Sequence, residues 1–146
     1  MKKRFLFLLP MLTMALVFVT SCSKDDDLNV DGTNLVGSWA YVDEYAGKLG
    51  VPYYYTLQSD GTFLAYEYWG STAYYKDGYV YSNATAKADM AYKCEVKGNA
   101  LYTKDGIFLA RIDVVNDETI RIDETTFATE VGIYKKIKGF KALYEY

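Results

Sequence analysis

Turn signals recur along this chain at short intervals and constrain its fold more than any other feature. Asp-Gly pairs occur at residues 60–61, 77–78 and 105–106, and related pairs occur at residues 98–99 and 116–117. Asp-Gly and Gly-Asn pairs supply the positive φ angles of tight hairpin turns. The segments between them are short and rich in Tyr, Val, Ile and Thr, which favour strands. The sequence therefore predicts an all-β chain built from antiparallel hairpins.

The clearest strand prediction covers residues 84–97. All seven even-numbered residues there are apolar or tyrosine and six of the seven odd-numbered ones are polar, which is the alternation of a half-buried strand. The even-numbered set is Ala84, Ala86, Ala88, Met90, Tyr92, Cys94 and Val96. This set is predicted to face inward, with Cys94 as a small buried hydrophobe rather than a reactive thiol.

A second alternating segment lies near the C-terminus. Its predicted inward face carries Phe127, Val131, Ile133 and Ile137, and its outward face carries Glu130, Lys136 and Lys138. In total, about eight to ten strands joined by short turns are expected. A meander of this length leaves two exposed edges unless it closes on itself. The predicted fold is therefore an antiparallel meander that closes into a β-barrel.

Residues 1–21 have the charge and hydrophobicity order of a secretory signal peptide. Lys2, Lys3 and Arg4 precede an apolar run over residues 5–19, which ends shortly before Cys22. The run is shorter than the roughly twenty residues that a membrane-spanning helix needs. Residues 1–21 are therefore expected to be removed.

The residues around Cys22 carry a resemblance to a known class of protein. Val19-Thr20-Ser21-Cys22 resembles the lipobox of bacterial lipoproteins, which implies that Cys22 is lipidated and becomes the mature N-terminus. Its acyl chains would anchor the protein to a membrane by on the order of 20 kcal/mol. Residues 23–27 resemble the Lys- and Asp-rich tag of Bacteroidetes lipoproteins at the cell surface. The implied location is the outer membrane, with the protein exposed at the cell surface or, as the alternative, facing the periplasm. The other interpretation of residues 1–22 is an ordinary signal peptide followed by an incidental cysteine.

Residues 22–34 are predicted to comprise lipidated Cys22 and an acidic, solvated tether. Asp27, Asn29, Asp31 and Gly32 have the spacing of the first half of a calcium loop, but Ser38 stands where its closing glutamate should be. The plain linker is the favoured interpretation, and no metal or other cofactor is predicted. Residues 35–146 are predicted to form the barrel domain.

Composition excludes several classes of function. Removing residues 1–21 leaves 125 of the 146 residues, a length typical of one domain. It also removes three basic residues, so the net charge changes from −3 to −6. That charge disfavours nucleic acid as a partner. The chain has no histidine, so histidine-assisted nucleophiles and histidine metal sites are excluded. No catalysis is predicted, although a carboxylate-based hydrolase remains open.

The start of the predicted barrel carries a second resemblance. Leu35-Val36-Gly37-Ser38-Trp39 is similar to the Gly-x-Trp opening of lipocalins and of lipocalin-like domains in small Bacteroidetes lipoproteins. The segments at residues 57–63 and 133–136 fit the same layout. The lipocalin Thr-Asp-Tyr motif is absent, so the resemblance is to the broader lipocalin-like class. It implies that Trp39 closes the barrel floor beneath a cationic side chain, a place that Lys135 is expected to take.

Such a barrel has room for packed side chains or for one small ligand. Small inward residues at 84, 86 and 88 predict free volume, whereas neighbouring tyrosines would fill it. A small amphipathic or glycan ligand is expected to contact Trp39, Tyr41, Tyr55, Glu67, Met90 and Tyr92. Glu67 would orient a ligand hydroxyl or amine if its face is the lumen, and would only solubilise the surface if it is not.

The chain contains sixteen tyrosines, and runs such as residues 53–55 must place rings on both faces of a strand. Tyrosine combines an apolar ring with a hydroxyl that favours water, which suits sugars, amphipathic ligands and protein partners. Two functions follow as hypotheses. The first is a membrane-anchored, lipocalin-like lipoprotein that binds a small ligand. The second is a non-catalytic protein-interaction or accessory subunit that uses an exposed tyrosine-rich face.

Overall fold

The computed structural model describes residues 28–126 and 130–146 and shows an all-β fold that includes a short 3-10 helix, Leu143–Glu145. The strands in this part of the chain are β1 Asn29–Val30, β2 Thr33–Asn34, β3 Gly37–Tyr41, β4 Asp43–Tyr45, β5 Lys48–Gly50, β6 Tyr53–Leu57, β7 Thr62–Glu67, β8 Ala73–Lys76, β9 Tyr79–Ser82, β10 Lys87–Lys97, β11 Ala100–Thr103, β12 Phe108–Asn116, β13 Thr119–Thr125, β14 Gly132–Lys136 and β15 Gly139–Lys141.

Eight of these strands close into a barrel in the order β3-β6-β7-β10-β11-β12-β13-β14. Each strand pairs antiparallel with the next, and β14 returns to β3. Closure leaves this sheet without a free edge, which is the physical reason for expecting a barrel from a long meander. The predicted fold class, an antiparallel meander closing into a lipocalin-like barrel, is confirmed.

Two hairpins interrupt the meander at the same end of the barrel, which we call the upper rim. This rim carries Tyr41, Tyr53, Glu67 and Lys87, whereas the lower rim carries the paired residues 37 and 57. β4–β5 leaves the barrel after β3, and β8–β9 leaves it after β7. With β15 these hairpins form a second sheet in the order β15-β9-β8-β5-β4.

Two hydrophobic clusters result from this arrangement. The first fills the barrel interior and includes Trp39, Tyr55, Phe63, Leu109 and Tyr134. The second lies between the outer wall of the barrel and the second sheet, and includes Ala40, Tyr68, Tyr75, Val80 and Ile137. Adjacent tyrosines on one strand can therefore both pack against a hydrophobic cluster. Tyr55 packs inside the barrel, whereas Tyr54 packs against the second cluster and stacks on Tyr66 at 4.8 Å.

The prediction that every even-numbered residue from 84 to 96 faces the lumen is wrong for the alanines. Ala84 and Ala86 pack against the second cluster, outside the barrel, while Cys94 is buried inside it. A β-bulge between Ala88 and Met90 separates the two halves of the segment. A bulge inserts one residue, and it therefore transfers a set of side chains from one face of a strand to the other. The alanines consequently add no space to the lumen.

The predicted facing of the last barrel strand is also wrong. Tyr134 is 1% exposed and lies in the barrel core, whereas Val131, expected inside, is 53% exposed. The cause is the register, because Lys136 pairs with Trp39, and Trp39 faces the lumen. Even-numbered residues of β14 therefore point inward. Phe127, placed on the same predicted face, lies outside the described residues.

The predicted tether ends earlier than residue 34. β1 and β2 form a hairpin whose turn, Asp31-Gly32, has φ angles of 51° and 82°, as a two-residue hairpin turn requires. Leu28 and Val30 are 4% and 1% exposed and belong to the barrel core. The solvated-tether prediction is therefore wrong for residues 28–34, and the calcium-like spacing in this segment belongs to a hairpin. Asp27, Cys22 and the signal segment lie outside the described residues.

Within residues 28–126 and 130–146, no group of three or more acidic, cysteine or histidine side chains is placed to hold a metal ion. In the same ranges, no helix has the length and apolar character needed to cross a membrane.

Candidate functional site

The lower rim of the barrel is closed around Trp39, which is 4% exposed. Its indole Nε1 donates a hydrogen bond to the Leu35 carbonyl oxygen at 3.0 Å. The Lys136 ammonium lies 4.9 Å from the Trp39 ring centroid and donates to the Val36 carbonyl oxygen at 2.8 Å. Burial lowers the pKa of Lys136. The floor therefore consists of a tryptophan, a lysine and the backbone that leads into β3.

The expectation that Lys135 would cover Trp39 is wrong by one residue. Lys135 pairs with Ala40, which faces the second cluster, and its ammonium donates to the Thr119 hydroxyl at 3.0 Å. Because side chains alternate along a strand, only Lys136 can reach the inner face at this level.

The interior above the floor is nearly full. It contains an apolar cavity of about 40 Å³. About 10–15 Å³ of such space holds one water molecule, whereas sites for drug-sized ligands measure roughly 300–1,000 Å³. The cavity is lined by Leu35, Trp39, Tyr55, Leu57, Phe63, Leu101, Ala110, Ile112, Ile120, Ile122 and Tyr134. Of the predicted ligand contacts, Trp39 and Tyr55 lie here, within the packed interior.

A column of aromatic rings connects this interior to the upper rim. Tyr55 stacks on Phe63 at 5.2 Å and contacts Tyr134 at 5.5 Å. Tyr53 lies 5.7 Å from Tyr55 and stacks on Tyr41 at 5.0 Å, with an angle of 14° between the ring planes. Offset-stacked and tilted rings at these separations attract one another beyond simple burial. The rings at the top of the column are therefore held in place from below.

The Tyr134 hydroxyl fixes the segment that leads into β14. It donates to the Glu130 carbonyl oxygen at 2.6 Å and accepts from the Glu130 N–H at 3.0 Å. Burial raises the pKa of Tyr134 far above its ordinary value. The phenol therefore stays neutral and acts as a structural donor and acceptor.

At the upper rim lies a group that we call the mouth cluster, made of Tyr41, Tyr53 and Glu67, all half-buried. Tyr53 pairs with Glu67 across β6 and β7, so both side chains point to the same face. Tyr92 does not join this group, because it pairs with Phe63 further down β7 and packs against the barrel core.

The mouth cluster contains two of the six predicted ligand residues, Tyr41 and Glu67. Met90 pairs with Ala65 in the backbone register, and its side chain lies outside the described set. Sequence reasoning missed Tyr53, although its spacing of two from Tyr55 is the signal for a shared face. The cluster presents an apolar stacking surface, a carboxylate acceptor and phenol groups at one opening.

Cys94 contributes packing rather than chemistry. Its side chain is 2% exposed, and burial raises the pKa of the thiol to about 12. The thiolate is the nucleophilic form, and it is scarce at neutral pH under these conditions.

Comparisons with protein-family models, with curated proteins and with solved structures find no match to this chain. The functional argument therefore depends on the geometry of the barrel and its mouth.

Proposed function

We propose that the protein is a membrane-anchored, lipocalin-like binding module that holds a small amphipathic or glycan ligand at the mouth cluster. The observation that supports this function most is the stacked Tyr41–Tyr53 pair at the upper rim, with the Glu67 carboxylate beside it. Flat aromatic rings accept the apolar face of a sugar or a hydrocarbon segment. A carboxylate next to them accepts hydrogen bonds from ligand hydroxyl or amine groups.

The small volume of the interior decides where the ligand lies. A cavity of about 40 Å³ cannot take a sugar ring or an alkyl chain, so the ligand rests across the mouth rather than inside the barrel. The aromatic column beneath restricts the motion of the mouth tyrosines before any ligand arrives. Binding then costs little additional side-chain ordering.

The anchor proposed at Cys22 sets the position of this mouth relative to the membrane. Five residues, 23–27, separate Cys22 from the first core residue, Leu28, and the six Cα–Cα steps between them span at most about 20 Å. Leu28 packs at the lower end of the barrel, near Leu35, whereas the mouth cluster occupies the opposite rim. The mouth would therefore point away from the outer membrane, toward ligands outside it.

Replacing Tyr53 with alanine tests the mouth directly. Loss of the stacked ring is expected to weaken binding of an alkyl glucoside by about tenfold, since a stacking ring contributes about 1–2 kcal/mol in total. Titration calorimetry of the anchored chain in nanodiscs, with the probe kept below its micelle concentration, measures this change. Tyr102, half-buried on the barrel wall beside Phe108, provides the matched control. Equal affinities in the two variants would exclude the mouth as the binding site.

The second candidate, a protein-interaction subunit, is supported by a different observation. Tyr45, Trp69 and Tyr144 are 74%, 61% and 87% exposed, and large exposed aromatics are enriched at protein interfaces. A specific protein recovered by cross-linking through these residues on intact cells would favour this function over the first.

A further inference from the structure

The second sheet has an outward face with an unusual composition. On β8, Ala73 and Tyr75 are buried toward the barrel, so Tyr74 and Lys76 point outward. On β9, Val80 is fully buried, so Tyr79 points outward. We call this surface the lysine–tyrosine face, and it consists of Lys48, Tyr74, Lys76, Tyr79, Lys141 and Tyr146.

The lysines of this face lie over the tyrosine rings. The Lys48 ammonium is 4.9 Å from the Tyr74 ring centroid and 5.4 Å from that of Tyr146. The Lys76 ammonium is 5.1 Å from Tyr146, and the Lys141 ammonium is 4.1 Å from Tyr79. Cation–π contacts at exposed sites are weak, so each ammonium can leave its ring at little cost when an anion approaches.

These lysines stand out in a chain whose net charge is −3. The salt bridges formed within residues 28–126 and 130–146 use other cations, namely Lys93, Lys97, Arg111, Arg121 and Lys138. Lys76 has a long hydrogen bond to the Tyr146 backbone oxygen at 3.4 Å, and Glu145 accepts from the Ala142 N–H. The lysine–tyrosine face therefore concentrates positive charge that no acidic side chain of the described chain neutralises by an ion pair.

We propose that the lysine–tyrosine face binds an anionic polysaccharide of the polyuronate type. The carboxylates would meet the three ammonium groups, and the pyranose rings would lie on the half-buried faces of Tyr74, Tyr79 and Tyr146. Three ammonium groups spread over β5, β8 and β15 suit an extended polymer with repeated charges better than a small molecule. This proposal does not depend on the mouth cluster, which lies at the upper rim of the barrel.

Charge and composition favour this occupant over the alternatives. The centres of protein interfaces are depleted in lysine, whereas three of the six residues of this face are lysines. Membrane-surface sites insert Trp, Phe or Leu side chains, and the rings of this face are tyrosines beneath ammonium groups. The net negative charge of the rest of the chain repels a polyanion. The positive charge of the lysine–tyrosine face therefore also determines where on the surface the polyanion binds.

The test compares two triple variants with the same change in charge. In the first, Lys48, Lys76 and Lys141 become glutamine; in the second, Lys93, Lys97 and Lys104, on β10 and after β11, become glutamine. The full chain in phosphatidylcholine nanodiscs is titrated with polygalacturonate and with neutral dextran. The face variant is expected to lose about tenfold or more in polygalacturonate affinity and the control about twofold or less. Binding should weaken as salt rises, and dextran should not bind.

A further variant separates ring contacts from charge. Tyr79→Ala is expected to lower polygalacturonate affinity about threefold without changing the salt dependence, because it removes a ring and no charge. Equal losses in the two triple variants would reduce the effect to net charge and overturn the proposal. So would the absence of polygalacturonate binding, equal binding of dextran, or a preference for anionic vesicles over the polymer.

Discussion

Replacing Trp39 with alanine is expected to lower the free energy of unfolding by about 3–5 kcal/mol. The indole is 4% exposed and occupies the barrel floor, where it borders the existing apolar cavity. Its removal enlarges that cavity and leaves the Leu35 carbonyl without its indole donor. It also takes the aromatic face away from Lys136, whose ammonium is already partly desolvated. Urea denaturation of the two proteins measures the difference.

Trp69 provides the matched control for this prediction. It is the other tryptophan of the chain and is 61% exposed beyond the end of β7. Trp69→Ala is expected to change the free energy of unfolding by less than about 0.5 kcal/mol, as is usual for surface substitutions. If both variants lost the same stability, Trp39 would not be the residue that closes the barrel.

Replacing Gly61 with alanine is expected to cost about 2–4 kcal/mol of stability. Gly61 has a φ of +91°, and a Cβ atom there would lie 2.7 Å from the Cys94 carbonyl oxygen. The Cys94 N–H donates to the Gly61 carbonyl oxygen at 2.8 Å, so the β6–β7 turn is bonded directly to β10. The added methyl group must therefore displace one backbone segment from the other. Thermal unfolding followed by circular dichroism measures the loss.

Gly98, in the turn between β10 and β11, separates the two parts of this cost. Its φ is +66°, but no heavy atom beyond its chain neighbours lies within 4 Å of the position that a Cβ atom would take. Gly98→Ala is expected to cost about 1 kcal/mol, from backbone conformation alone. A Gly61→Ala variant no less stable than Gly98→Ala would show that the contact with Cys94 does not matter.

The strands and the closure of the barrel were predictable because they depend on local signals. The Asp-Gly pair at residues 60–61 lies in the turn between β6 and β7, as its turn chemistry predicts. Alternation over residues 90–97 correctly placed Cys94 inside. Each of these inferences uses only neighbouring residues and the period of a strand.

The errors share one physical cause, which is that facing depends on partners distant in sequence. The bulge after Ala88 is set by pairing with β7, and the inward facing of Tyr134 is set by pairing with β3. Neither register can be obtained from the strand itself. The second sheet also gives outward-pointing apolar residues such as Ala40 and Tyr54 a place to be buried, so hydrophobicity alone does not identify the lumen.

The candidate site was predictable in part for the same reason. Tyr41 and Glu67 reach one rim because β3 and β7 end there, which strand order makes foreseeable once the barrel is assumed. Tyr92 lies in the middle of β10 and does not reach it. The sequence left open whether tyrosines fill the lumen, and Tyr55 and Tyr134 do so, because the outcome depends on how rings from different strands pack. That packing moves the proposed ligand from the lumen to the mouth.

Native mass spectrometry of the chain extracted in mild detergent from the membranes of its own cells tests the proposed function most directly. The expected species begins at Cys22, carries the mass of acyl chains and holds a ligand adduct of constant mass. The adduct should disappear in a Tyr41→Ala, Tyr53→Ala double variant, while the acylated chain remains. An unacylated chain, or an acylated wild-type chain that never carries an adduct, would contradict a membrane-anchored module that binds its ligand at the barrel mouth.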